Sequence, residues 1–303
     1  MGAGPCGWAL EAHLASGLAA YATPAAARTF DDDLAVVAGM GVVVVSEDEA
    51  NAVRGVERIV MHDLDLAAVR NALAAFQVST RFDGLALGCL DHGYAPPGYS
   101  ERLFRFDHLR RVVRDKNDLR SFVYLPDEVP EYLVRARSML ASVDLELPTI
   151  FLDTGPAAVL GALQDPHVAE AEDQVVLHLG TMHTLGFWLN GTEIRALYEH
   201  HTAMLNREEI ESLTERFIAG ILTPEEVFAR QGHGVHYVER GTPSDALIAV
   251  TGPQRHKLRS SRLSPYFAMP HGDVMISGCY GLVWAFAERF GERRQEIEAA
   301  LAG

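Results

Sequence analysis

Gln174-Val175-Val176-Leu177-His178-Leu179-Gly180-Thr181-Met182-His183-Thr184-Leu185-Gly186-Phe187-Trp188-Leu189-Asn190-Gly191-Thr192-Glu193-Ile194-Arg195-Ala196-Leu197-Tyr198 decides the reading of the fold. Residues 174–179, 184–189 and 193–198 are three short runs rich in β-branched and aromatic residues, and Asn190-Gly191 between the second and third is a strong hairpin signal. A strand meander is therefore expected here. Downstream, 207–219 and 224–230 read as helices, the second capped by Thr223 with Pro224 in its first turn. Residues 246–250 read as a buried strand opening into Gly252-Pro253, and 272–290 as a last helix. The order β-β-β-α-α-β-loop-α predicts a mixed α/β half.

Upstream the signals are weaker. Met1-Gly2-Ala3-Gly4-Pro5 reads as a glycine-rich turn before a helix over 6–16. Residues 25–40 and 65–76 read as helices, 41–45 as a fully buried strand, and 59–62 and 85–89 as further strands. A loop over 94–100 precedes a basic helix over 102–120, and a strand over 149–153 runs into a helix over 155–163. Asp165-Pro166 is a natural boundary, which divides the chain into 1–165 and 166–303.

A chain of 303 residues, 48% hydrophobic, can bury its core without disulfides or metals. Its formal net charge of −15 argues against nucleic acid or an anionic membrane as the main partner and still allows a local phosphate pocket. Cys6, Cys89 and Cys279 stand far apart, so neither a disulfide framework nor a CxxC metal site is expected. No signal peptide and no apolar stretch of spanning length is read, and a reduced, cytoplasmic setting is expected. Oligomeric state is left open.

Four groups of residues carry possible chemistry. Gly180, Thr181, His183 and Thr184 follow a strand and offer backbone amides and hydroxyls to a phosphate, or form a polar hairpin turn. Thr251, Gly252, Pro253 and Arg255 follow a buried strand, where a glycine permits close approach and an arginine can pair with phosphate. His183, Glu199, His200 and His201 offer ligands to zinc, nickel or iron, although no HExxH is present; on a strand Glu199 and His201 share one face and His200 takes the other. His178, His233 and His236 belong to the same histidine set, His233 and His236 standing three apart in a glycine-flanked segment. Asp91, next to His92, and Asp153, in Asp153-Thr154-Gly155, stand at strand ends. Neither GxSxG nor GxxxxGK[ST] occurs, which removes the commonest hydrolase and P-loop readings.

An ordered set of segments resembles a prokaryotic family of unknown function labelled pyruvate formate-lyase activating enzyme-like. The segments are residues 1–5, 29–33, Asp91-His92-Gly93, residues 153–158, 179–184, 199–202, Val250-Thr251-Gly252-Pro253 and residues 270–279. The family is grouped with the actin-like ATPases. The resemblance implies an α/β, ribonuclease H-like, two-lobe architecture: an incomplete first lobe over 1–165 and a second over 166–303. Such lobes hold a three-stranded meander, then helix, strand and helix. The resemblance places phosphate at Gly180–Thr184 and adenosine at Thr251-Gly252-Pro253, with the last helix, containing Gly278 and Gly281, packed behind. His178 stands where active members carry a magnesium-binding Asp. The first lobe's phosphate loop would lie upstream of Met1, so a truncated chain is expected.

The resulting expectation is a nucleotide- or phosphate-binding protein, a kinase or ATPase in its complete form, with ATP and magnesium as cofactors. Asp91 and Asp153 would hold metal water or act as general base. A metal-dependent enzyme on the His/Glu set and a non-catalytic scaffold stay open. An iron–sulfur cluster and the radical chemistry implied by the label are not expected, because the dispersed cysteines supply no CxxxCxxC.

Overall fold

Residues 4–143 and 146–302 are described by the computed structural model, and they fall into two units. Met1-Gly2-Ala3 of the glycine-rich turn lies outside the described residues. Unit 1 comprises Met1–Asp65 and Tyr94–Glu101. It contains α1 (Gly4–Ala15), β1 (Ala20–Ala22), α2 (Pro24–Ala27), α3 (Leu34–Gly39), β2 (Val42–Val44) and α4 (Glu47–Ala52). The helix expected over 25–40 is broken in two. Asp31 Oδ1 accepts from the Asp33 amide and Asp33 Oδ1 accepts from the Ala35 amide, so the acidic run makes a turn and a cap. The strand at 41–45 is shorter and less buried than expected: among the described residues β2 pairs only with β1, in parallel, and Val43 is exposed while Val42 is buried. No strand forms at 59–62; Ile59 and Val60 are exposed there.

Unit 2, Leu66–Gly93 with Arg102–Gly303, is a mixed α/β body. It opens with α5 (Leu66–Ala75), β3 (Leu85–Gly88), α6 (Glu101–Asp115), β4 (Val123–Tyr124), α7 (Val134–Ala141), β5 (Thr149–Leu152), α8 (Thr154–Ala162) and α9 (Pro166–Ala169). The meander follows as β6 (Gln174–Leu179), β7 (His183–Asn190) and β8 (Glu193–His201), then α10 (Arg207–Ile218), α11 (Pro224–Ala229), β9 (Gly234–Tyr237), β10 (Leu247–Thr251), β11 (Tyr266–Phe267), α12 (Ser277–Arg289) and α13 (Arg294–Ala302). Gly191 takes φ 57° in the β7–β8 turn, which its lack of a Cβ permits. Among the described residues one sheet runs β11-β10-β6-β7-β8-β9 and a smaller one β3-β5-β4. In the larger sheet β6 to β9 are successively antiparallel, while β10 and β11 add in parallel beside β6.

Alternate residues of the meander feed two cores. Val176, Leu185, Phe187, Leu189 and Leu197 pack with Phe106 and Leu109 of α6, Leu160 of α8 and Phe286 of α12. Val175, Leu177, Trp188, Ala196 and Tyr198 pack with Ile210, Leu213 and Phe217 of α10. Burial on both faces explains the nearly unbroken apolar runs. The helix expected as the last, over 272–290, is α12, which begins at Ser277 because Gly272 stands at φ 77° and Asp273 is extended; a further helix, α13, follows it.

Candidate functional site

The carboxyl end of β8 carries Glu199 and His201 on one face, that of α6 and α8. Across the register, His183 at the start of β7 pairs with His201, and Glu199 pairs with Gly234 at the start of β9. The amide of His233 donates to Glu199 O at 2.9 Å, which fixes His233 beside them. Arg102 of α6 donates to Gly232 O at 2.7 Å and covers the Phe228 ring, holding that segment against α6. A Cβ on Gly234 would sit 2.5 Å from the Phe106 ring, so only glycine lets α6 approach this closely. His92 lies four residues beyond β3.

These elements bring four imidazoles together. His92 Nε2 and His183 Nε2 stand 3.4 Å apart. The His233 ring centroid is 4.8 Å from that of His183 and 4.5 Å from that of His201. His92, His183 and His233 each offer one nitrogen within 4.8 Å of the others. Nδ1 of His92, Nδ1 of His183 and both nitrogens of His233 are buried without a hydrogen-bond partner. Burial is the main cause that lowers their pKa values, to about 4 for His92 and about 2 for His233, and lowers that of His183. At neutral pH all three are unprotonated.

Beneath the imidazoles lies a buried ion network. Arg105 is fully buried; its Nη1 donates to Asp153 Oδ2 at 2.6 Å and to Asp91 O at 3.1 Å. Its Nε and Nη2 donate to the Glu199 carboxylate at 3.2 Å. Burial raises the Glu199 carboxyl, but Arg105, with His233 and His183, outweighs it and holds the group well below the ordinary range. Glu199 Oε1 lies 3.9 Å from His183 Nδ1. Asp153 also caps α8, accepting from the Gly155 amide at 3.0 Å. Asp91 accepts from the amides of Gly93 and Ala136, the latter in the first turn of α7, and burial raises its pKa.

The other expected site residues lie around two turns. Gly180 N–H donates to His183 O, closing a tight β6–β7 hairpin over Thr181 and Met182. Thr184 is buried with its hydroxyl 3.0 Å from that of Thr202. Gly252, at φ 99°, follows β10, and Gln254 N–H donates to Leu179 O at 2.9 Å, so the turns touch. The His178 ring lies between them: a Cβ on Gly180 would meet its Nε2 at 2.9 Å and one on Gly252 its Nδ1 at 3.0 Å. Thr251 Oγ1 and His178 Nδ1 are buried without a partner. Pro253 follows in the turn, and Arg255 folds back to Gly252 O at 2.9 Å. His200 points away from the histidine cluster, its Nδ1 3.2 Å from His201 O and its ring edge beside Gly232.

The sequence reading thus found His183, Glu199, His201 and His233 within one histidine set but not His92 or Arg105 as their partners. Arg105 sits in a run of arginines that reads as a basic helix. His92 adjoins Gly93 beyond a strand end, the one signal that could have joined it to the set.

No curated protein and no solved structure matches the chain at a significant level. A family model described as "Putative pyruvate format-lyase activating enzyme (DUF1786)" matches residues 1–257, a span that holds both turns and the whole histidine cluster. On that match the chain belongs to this family.

Proposed function

We propose that residues 166–303 form an actin-like ATPase lobe that binds a nucleotide or its phosphates, with magnesium, at the paired turns Gly180–Thr184 and Thr251–Arg255. The observation that carries this reading is the contact of the two turns at the carboxyl ends of the adjacent parallel strands β6 and β10. Ligands of open α/β sheets bind beyond such strand ends. The sheet supports it: an antiparallel meander, then helices α10 and α11, then β10 parallel beside the first strand. The resemblance implies meander, helix, strand and helix; β9, antiparallel at the edge beside β8, is an addition to that order. Amides of the hairpin and the hydroxyl of Thr181 would hold phosphate, and Arg255 would swing from Gly252 O to meet it.

Asp91 and Asp153 stand just beyond β3 and β5 as expected, but their oxygens accept from backbone amides and from Arg105. The geometry therefore supports phosphate holding more than carboxylate chemistry. Thermal unfolding with and without millimolar Mg-ATP tests the reading. Ligand at about 100 times its dissociation constant adds about 2.7 kcal/mol, a shift of several degrees. Thr181→Val with Arg255→Gln should abolish the shift. A parent chain that does not respond to Mg-ATP, or a variant that responds as the parent does, removes the reading.

A further inference from the structure

We propose that His92, His183 and His233 form a binding site for a transition-metal dication of the zinc class, with Glu199 orienting His183 from behind. The site goes beyond the phosphate reading and shares only His183 with it.

Distance is the first argument. The 3.4 Å between His92 Nε2 and His183 Nε2 is long for a hydrogen bond. It matches the ligand-to-ligand edge of a tetrahedral zinc site, roughly 3.3–3.4 Å for Zn–N bonds of about 2.0–2.1 Å. The widest separation, 4.8 Å, closes to that edge with about 1–1.5 Å of ring movement.

Satisfaction of polar groups is the second. His233, at 1% exposure, keeps both ring nitrogens without a hydrogen-bond partner. Buried nitrogens left so are costly, and a metal would take one of them.

Charge is the third. Glu199 and Asp153 face a single guanidinium, Arg105, and buried Asp91 adds a third carboxyl group beside them, so acidic groups outnumber the one cation. An unbalanced buried charge is strongly unfavourable, and a dication a few ångströms away offsets it. Glu199 Oε1 lies 3.9 Å from His183 Nδ1, and an approach of about 1 Å would give the carboxylate–histidine–metal arrangement common at zinc ligands.

The donors select the ion. Three imidazole nitrogens suit zinc, cobalt, nickel, copper or iron, whereas magnesium and calcium need oxygen. Three protein ligands leave a fourth position for water, the composition of catalytic rather than structural zinc sites. His201 is a part-exposed imidazole beside the three, its centroid 5.0 Å from that of His183 and 4.5 Å from that of His233.

The test uses the full chain without an affinity tag, stripped with a chelator and titrated with Zn²⁺ and with Co²⁺. One equivalent should bind, with the visible absorption of four-coordinate Co²⁺. His92→Gln and His233→Gln should each weaken binding about 100-fold or more, and Glu199→Gln about 10–100-fold. His236→Gln, on the far part of β9, should bind as the parent does. Absence of stoichiometric binding in the parent, or parent-like binding in both His92→Gln and His233→Gln, overturns the proposal. If His233→Gln fails to fold by circular dichroism, the partly exposed His92→Gln decides. Mg-ATP melting of the same proteins separates the two sites: Co²⁺ binding with no response to Mg-ATP leaves this site standing and removes the phosphate reading, and the reverse pattern does the opposite.

Discussion

At the scale of single residues, burial decides what each charged group does. Arg105 reads in the sequence as one of several arginines on a solvated helix, because nothing local separates it from Arg110 or Arg111. In the fold it alone of these is fully buried and holds two carboxylates. His108, one turn further along α6, shows the same effect on a titration. Tyr132 Oη accepts from Arg111 at 2.9 Å and stands 3.0 Å from His108 Nδ1, so its hydroxyl proton is free to go to an unprotonated imidazole. Burial, then Arg105, lowers the His108 pKa to about 4. The unfolded chain takes that proton near pH 6.5, before the folded one does. Stability therefore falls as pH drops from about 6.5 to about 4 and has no further His108 contribution below that. His108→Gln keeps a hydrogen-bonding group and removes the titration. In urea unfolding at pH 7 and pH 4.5, the parent should lose about 2–3 kcal/mol more than the variant. Equal losses would mean that His108 does not resist protonation in the fold.

Elements were legible where period and turn chemistry agree. The β6–β8 meander, the Asn190-Gly191 turn and helices α10 and α11 stand close to their sequence reading. The short pieces β1, β4, β9 and β11 were not, because two to four residues carry no period and these sit outside the apolar runs that mark the equally short β2, β3 and β5. Helix contacts show a further limit. Gly278 and Gly281 look equivalent in the sequence of α12, but their surroundings differ. A Cβ on Gly281 would lie 1.9 Å from Ala157 O and 2.7 Å from Gly161 N, because α12 presses its backbone onto α8. A Cβ on Gly278 would meet only Ala158 N, at 3.9 Å. Gly281→Ala must push the helices apart, which costs about 1–3 kcal/mol and outweighs the propensity gain of up to about 1 kcal/mol. Gly278→Ala keeps that gain at no steric cost. Melting of the two variants should move in opposite directions, Gly281→Ala downward and Gly278→Ala level or upward. A Gly281→Ala protein as stable as the parent would mean that the α8–α12 contact is looser than described.

At the scale of the molecule, the sequence reading worked best where the chain buries most. The meander is covered on both faces, so its apolar pattern is dense and local. The histidine cluster was only partly legible, because it joins residues from β3's exit, β7, β8 and the approach to β9, and long-range register sets those neighbours. Unit 1 read worst, and the same physics predicts how it opens. Its core rests on Ala22, Ala27, Val37 and Val42 among the described residues, around two strands of three residues each. Two short strands with so little buried apolar area are marginal. Unit 2 holds two large apolar clusters on either face of the meander. Local opening follows buried apolar contact, so the units should open with different free energies. Native-state hydrogen exchange should show the amides of β1 and β2 exchanging through low-energy openings. Those of β6, β7 and β8 should exchange only near global unfolding. Denaturant should correspondingly give a non-two-state transition, with unit 1 lost first. Equal protection of β2 and β7, with one coincident transition by all probes, would instead mean that the two units unfold as one.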